Sequence, residues 1–187
     1  DPSTNNSDIW LMDLTRGGVM TRFTFDPANE SDVIWSSDGS RIAFSSNRKG
    51  PADIFEKKSS GIGEELPLVE SPETDNIEDW SKDGRYIAYK NGTAVIRILP
   101  LFGDRKSFVF AESPFDKDEM HFSFDTKWLA YDSNESGSWQ VYVASFPAGD
   151  QKRVISTNGG VVPRWRRDGQ ELYYLSPDGK LMAVEMK

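Results

Sequence analysis

Chemistry needs particular side chains at particular spacings, and this chain offers few. Its one histidine is His121. A lone histidine can serve a serine nucleophile when an aspartate orients it, but the sequence singles out no such pair. The strained G-x-S-x-G turn that exposes a nucleophilic serine is missing. With no cysteine there is no thiolate nucleophile, disulfide framework or zinc-thiolate set. Phosphate-cradling loops are also missing: there is no P-loop, and no G-x-G-x-x-G leads from a strand into a helix. Arg16-Gly17-Gly18 lies between two apolar runs and reads as a tight turn. No cofactor is expected.

Carboxylates are the more notable group. Three runs, DPANESD, ESPETDNIED and ESPFDKDE, hold Asp26, Glu30, Asp32, Glu73, Asp75, Glu78, Asp79, Asp116, Asp118 and Glu119. They are oxygen-rich, yet they lack the D-x-[DN]-x-[DN]-G loop with distal glutamate that shapes a calcium site. Calcium would be unspecific there, and no metal site is expected. The corresponding fourth run, STNGGVVPRW, has no acid and leads to Arg164, Arg166 and Arg167.

Whether these carboxylates act together depends on the elements that carry them, and an internal repeat settles those. WSSDGSRIAF from Trp35, WSKDGRYIAY from Trp80, FSFDTKWLAY from Phe122 and WRRDGQELYY from Trp165 align without gaps. The aligned aspartates, Asp38, Asp83, Asp125 and Asp168, are 45, 42 and 43 residues apart, close to the roughly 40–45-residue period of a propeller blade. In each unit the aromatic ends a short first strand. Asp38-Gly39, Asp83-Gly84 and Asp168-Gly169 read as type I′ hairpin turns with both residues at positive φ. Thr126 stands where the glycines stand, so that turn must differ in type or carry strain. Apolar second strands follow, then third strands at DIFEKK, TAVIRILPL, WQVYVASF and KLMAVEM. Fourth strands follow at ELPLV, KSFVF and KRVIS.

The expected fold is therefore all-β, a β-propeller of four-stranded antiparallel blades. Its divisions are a disordered tail at 1–7, a partial blade at 8–25 with strands in DIWLMDL and TRFTF, blades at 26–70, 71–112 and 113–156, and a partial blade at 157–187. The chain encodes about four blades with incomplete ends, which suggests a piece of a larger ring, a small ring closed by its own ends, or a homodimer closing one ring. Trp35, Trp80, Phe122 and Trp165 are expected to fill the wedges between blades, rather than to form an exposed aromatic row. The three acidic runs are expected to be loops entering consecutive first strands, and so to gather their carboxylates around one end of the channel. There they would attract a cationic partner; the alternative is a set of solvated loops. His121 shares the repeat position of Ile34, Asp79 and Arg164, which favours a strand residue near the channel mouth over a catalytic base.

WSSDGSRIAFSSNRKGPADIF resembles the PD40 (WD40-like) repeat of TolB-like propellers: aromatic, Ser, usually Pro, Asp-Gly, a strand ending in Ala-aromatic, a polar turn, then an Asp-Ile-aromatic strand. Ser37, Lys82, Phe124 and Arg167 replace the usual proline. The resemblance covers nearly the whole chain. It implies a six-bladed family type acting as a protein-interaction platform in the bacterial periplasm or outside the cell. Similar repeats form tails of bacterial serine/threonine kinases and the gating propellers of prolyl-oligopeptidase-like enzymes. Composition fits a binding module: 30 Asp and Glu against 22 Lys and Arg in 187 residues disfavour nucleic-acid binding and docking on anionic lipid. No apolar run is long enough to span a bilayer. The sequence thus points to a non-catalytic module for a protein or peptide partner, with a hydrolase accessory propeller as the alternative.

Overall fold

The structure, a computed structural model, describes residues 6–186. Most of the expected tail therefore lies outside the described residues. Its last two residues are held: the Asn6 side chain donates to the Asp26 and Ala28 carbonyls, and the Ser7 amide to Asn29 Oδ1.

Among the described residues, antiparallel strands account for the regular structure apart from one 3-10 turn at Leu14–Arg16. The chain divides into two compact units, Asp1–Ile77 and Glu78–Lys187. In the first, β1 (Trp10–Asp13) pairs with β2 (Val19–Arg22), and β3 (Glu30–Trp35), β4 (Arg41–Ser46), β5 (Asp53–Lys58) and β6 (Leu66–Val69) form a four-stranded meander. β2 starts two residues before the expected TRFTF and ends before Phe23, which turns inward instead: its amide bonds the Ile9 carbonyl at 2.8 Å. Ile9 and Phe23 pack on Ile42, Phe44 and Phe55 as this unit's core.

The next sheet contains β7 (Asp75–Trp80), β8 (Tyr86–Asn91), β9 (Val95–Pro100) and β10 (Phe108–Glu112). It is followed by β11 (Lys117–Phe122), β12 (Trp128–Ser133), β13 (Gln140–Ser145) and β14 (Arg153–Val154), then by β15 (Val161–Trp165), β16 (Glu171–Leu175) and β17 (Leu181–Glu185). Successive strand residues face opposite sides of a sheet, and the β11–β14 sheet is buried on both. Leu129, Tyr131, Tyr142 and Ala144 join Ile96 and Ile98 of the preceding sheet. The alternate residues Ala130, Val141 and Val143 join Leu172 and Tyr174 of the following one. This two-faced packing is what makes the meanders blades of a β-propeller.

The repeated aromatics do not share one environment. Trp80 and Phe122 are buried, at 5% and 6% exposure. Trp165 is partly buried against the Ala130–Tyr174 cluster, and its indole N–H donates to the His121 carbonyl at 3.0 Å. Trp35 departs from the expected wedge position and is 52% exposed. Trp165 has β11 beside it, whereas among the described residues of the first unit the preceding two-stranded sheet covers Ile42 and Phe44 and stops short of Trp35.

The hairpins also differ from the expected type I′ turns. Only the last residue of each has positive φ: Gly39 (71°), Gly84 (74°), Thr126 (59°) and Gly169 (73°). Their amides return to the Ser36, Ser81, Ser123 and Arg166 carbonyls, each at 2.9 Å. This is the longer hairpin loop, a turn with ordinary φ closed by one left-handed residue. The aspartate is present for its side chain. Oδ1 of Asp38, Asp83, Asp125 and Asp168 accepts from the amide two residues on (Ser40, Arg85, Lys127, Gln170), at 3.0–3.2 Å. Thr126 keeps the same turn and carries the strain.

Candidate functional site

The first strands β3, β11 and β15 enter their blades with a local distortion. Pairing slips between Ser31 and Ile34 in β3, between Asp118 and His121 in β11, and between Val161 and Arg164 in β15. Each slip holds a non-glycine residue at positive φ: Asp32 (50°), Glu119 (51°) and Val162 (59°). Bulges re-aim side chains, and left-handed backbone on such residues is strain that surrounding contacts must sustain.

In the first unit the acidic run is only partly available to a partner. Glu30, Asp32 and Asp75 belong to β3 and β7 and not to the loops before them, so the expected loop positions are corrected here. Glu30 is buried, bonded to Ser46 Oγ (3.0 Å) and Arg48 (3.3 Å). Burial raises its pKa, against the pull of Ser46 and Arg48. Arg48 also pairs with Glu65 at 2.7 Å and lies 4.3 Å over the Phe55 ring, so Glu30 anchors a structural network. Asp75 is fully buried. Asp26 is half-buried in the loop, while Asp32 and Glu73 are exposed. Asp32 accepts from Asn76 at 2.8 Å.

The second unit assembles a true cluster. Glu78, Asp79, Asp118 and Glu119 are again strand residues, and Asp116 alone stays in the loop. Asp79 Oδ2 accepts the Phe122 amide at 2.8 Å and lies 3.7 Å from His121 Nδ1. His121 Nε2 is 3.9 Å from Glu119 Oε2, which the Arg164 guanidinium reaches at 2.9 Å. Lys90 donates to Asp118 at 2.8 Å. The acidic and basic sectors therefore meet and pair here. Beside them Asp132, 1% exposed, accepts the strained Val162 amide at 2.8 Å through Oδ2, while its buried Oδ1 has no partner among the described residues.

The electrostatics follow from this geometry. Burial, with Asp118 and Glu119 nearby, pushes the Asp132 carboxyl up to about 6. His121, with Arg164 beyond it, pulls Glu119 down to about 2 against its partial burial. Burial of the His121 ring opposes its charge, but Asp79 and Glu119 prevail and raise its pKa. The two carboxylates thus favour the charged form of the imidazole. The cleft at His121, about 220 Å³, is lined by Asp79, Lys82 and Arg164 among others. Among the described residues no three His, Asp or Glu side chains are placed to hold a metal ion, and no helix is long and apolar enough to cross a membrane.

Sequence reasoning missed Lys90 and Asp132. They share a repeat position with Ser45 and Leu175, at which Ser45 Oγ accepts the Ile77 amide at 3.0 Å. The type varies from blade to blade, so no composition signal marks it.

Comparison with known proteins gives the fold a context. No family model matches the chain. The structure of a putative TolB from Agrobacterium tumefaciens superposes with a TM-score of 0.81 at 16% identity, covering 95% of this chain and 69% of that one. TolB from Acinetobacter baumannii gives 0.73 at 18% identity, covering 90% and 43%. Among curated proteins, the uncharacterized peptidase YuxL of Bacillus subtilis (strain 168) is 33% identical over 81 residues, which are 43% of this chain and 12% of that protein. The chain has the TolB-like β-propeller fold, and it spans only a small part of the curated relative it matches.

Proposed function

We propose that the chain is a non-catalytic interaction module that binds a protein or peptide partner through cationic side chains at the bulged ends of β11 and β15. The observation that supports this is the group of carboxylates gathered there. Asp79, Asp118, Glu119 and Asp132 lie together with Lys90, His121 and Arg164, and the Asp118 and Glu119 side chains are 44% and 38% exposed and open to a partner. Desolvated neighbours such as Asp132 strengthen the field felt by an approaching cation. The exposed acids Asp32 and Glu73, with Asp26, belong to the same reading for the first unit, and Asp116 precedes β11 in the second. Glu30 and Asp75 do not contribute contacts. The periplasmic or extracellular setting implied by the repeat resemblance is part of this proposal.

Calorimetric titration with a tetralysine peptide and a tetraglutamate peptide tests it. The lysine peptide is expected to bind, and to bind more weakly as salt rises. Because the whole chain is acidic, at a net −8, the decisive comparison is the D118N/E119Q variant, expected to lose at least fivefold in affinity. Equal affinity for both peptides, or an unchanged variant, contradicts the proposal.

The match to a peptidase supports a second reading, a propeller that serves a hydrolase. An α/β-hydrolase domain encoded in the same reading frame, together with peptide hydrolysis by the full-length product, would favour it.

A further inference from the structure

Beyond the hairpin ends of β11 and β15 lies a second cleft of about 390 Å³, within the roughly 300–1,000 Å³ range of small-ligand sites. Phe124, Trp128, Trp165 and Met186 give it apolar walls, and Arg153 and Arg167 stand in it. Here the charges left without an ion pair among the described residues are cationic. Asp168 is taken by Arg166 at 2.6 Å and by the Gln170 amide. Asp125 is taken by Ser123 Oγ at 2.7 Å and by Lys127 at 3.5 Å. Arg153 and Arg167 have neither an ion pair nor a side-chain hydrogen bond among the described residues. Arg167 rests 5.6 Å from the Phe124 ring centroid, as does Lys82 Nζ. An aromatic face holds a guanidinium without consuming its donors, so Arg167 is placed but unengaged.

We propose that this cleft binds the C-terminal residue of a peptide, its carboxylate answered by Arg153 and Arg167 and a large apolar last side chain lying against Phe124, Trp128 and Trp165. A planar carboxylate matches the two-donor edge of a guanidinium. Phosphate is met by the same groups but is strongly hydrated and finds little to bond on aromatic walls. Both arginines are exposed, so the remainder of the peptide can leave into solvent. The site shares Phe124 and Trp165 with the cleft at His121 but none of its carboxylates, so it stands even if that cluster binds nothing.

The test titrates the 187-residue chain with Ac-Gly-Gly-Leu-Phe as free acid and as C-terminal amide, followed by calorimetry and tryptophan emission. The free acid is expected to bind at least tenfold more tightly than the amide and to change the emission of the cleft tryptophans. R153Q/R167Q is expected to remove that preference while melting like the parent, because both side chains are exposed. Equal binding of acid and amide by the unaltered chain overturns the carboxylate assignment, whatever the variant does. Equal binding of Ac-Gly-Gly-Gly-Gly, or displacement by inorganic phosphate at the peptide's own concentration, overturns the apolar part.

Discussion

Thr126→Gly should stabilise this protein, against the usual direction of a mutation to glycine. Thr126 sits at φ 59°, a region that costs an L-residue with a Cβ about 1–2 kcal/mol. Its hydroxyl oxygen is buried without a partner, a loss of about 1–3 kcal/mol. Glycine removes both penalties and adds an unfolded-state entropy cost of about 0.5–1 kcal/mol. The balance is a gain of about 2 kcal/mol, or roughly 4–8 °C in melting temperature for a chain of this size. Thr126→Ala separates the two contributions, since it deletes the hydroxyl but keeps the Cβ at positive φ; it should gain less than glycine does. Urea unfolding followed by tryptophan emission and scanning calorimetry give both quantities. A loss of about 1 kcal/mol or more for Thr126→Gly, above the usual scale of a neutral surface change, would refute the account of this turn.

The repeated tryptophans should part company on truncation: Trp80→Ala is expected to cost about 3–5 kcal/mol as a buried aromatic, and Trp35→Ala less than about 1 kcal/mol, with similar losses at both contradicting the difference in exposure. Asp132, raised from 3.8 to about 6, makes the fold more stable when protonated; its contribution is complete below pH 3.8 and is lost as pH rises through about 6. That shift is worth on the order of 3 kcal/mol, so Asp132→Asn should flatten the pH dependence of stability across this window, and an unchanged profile would count against the burial argument. His121, also raised, contributes stability below its ordinary 6.5 that is lost as pH rises through its folded value, so His121→Gln should weaken the fold at pH 6 more than at pH 9 in the same melts.

The blades were legible because hairpin chemistry and apolar strands repeat at fixed offsets. The reason for the aspartate was not, since a residue that caps a turn through its side chain and one that tolerates positive φ look alike in sequence. Trp35 shows the limit for burial: its repeat position is that of Trp80, but exposure depends on which strand stands beside it. The acidic runs contain the partly exposed Asp118 and Glu119, yet composition could not separate them from Glu30 and Asp75, which face inward. The distortions at Asp32, Glu119 and Val162 have no sequence signal, because three unrelated side chains share one backbone conformation. Asp132 was invisible for the converse reason, a buried carboxylate at a position where other blades place Ser45, Lys90 and Leu175.

The most direct test of the proposed function is amide chemical-shift mapping of the chain with tetralysine. The account predicts that the largest, salt-sensitive shifts fall on Asp118, Glu119, Arg164 and the neighbouring Lys90, and that they vanish in the D118N/E119Q variant. Shifts confined to other surfaces, or persisting unchanged in that variant, would contradict it.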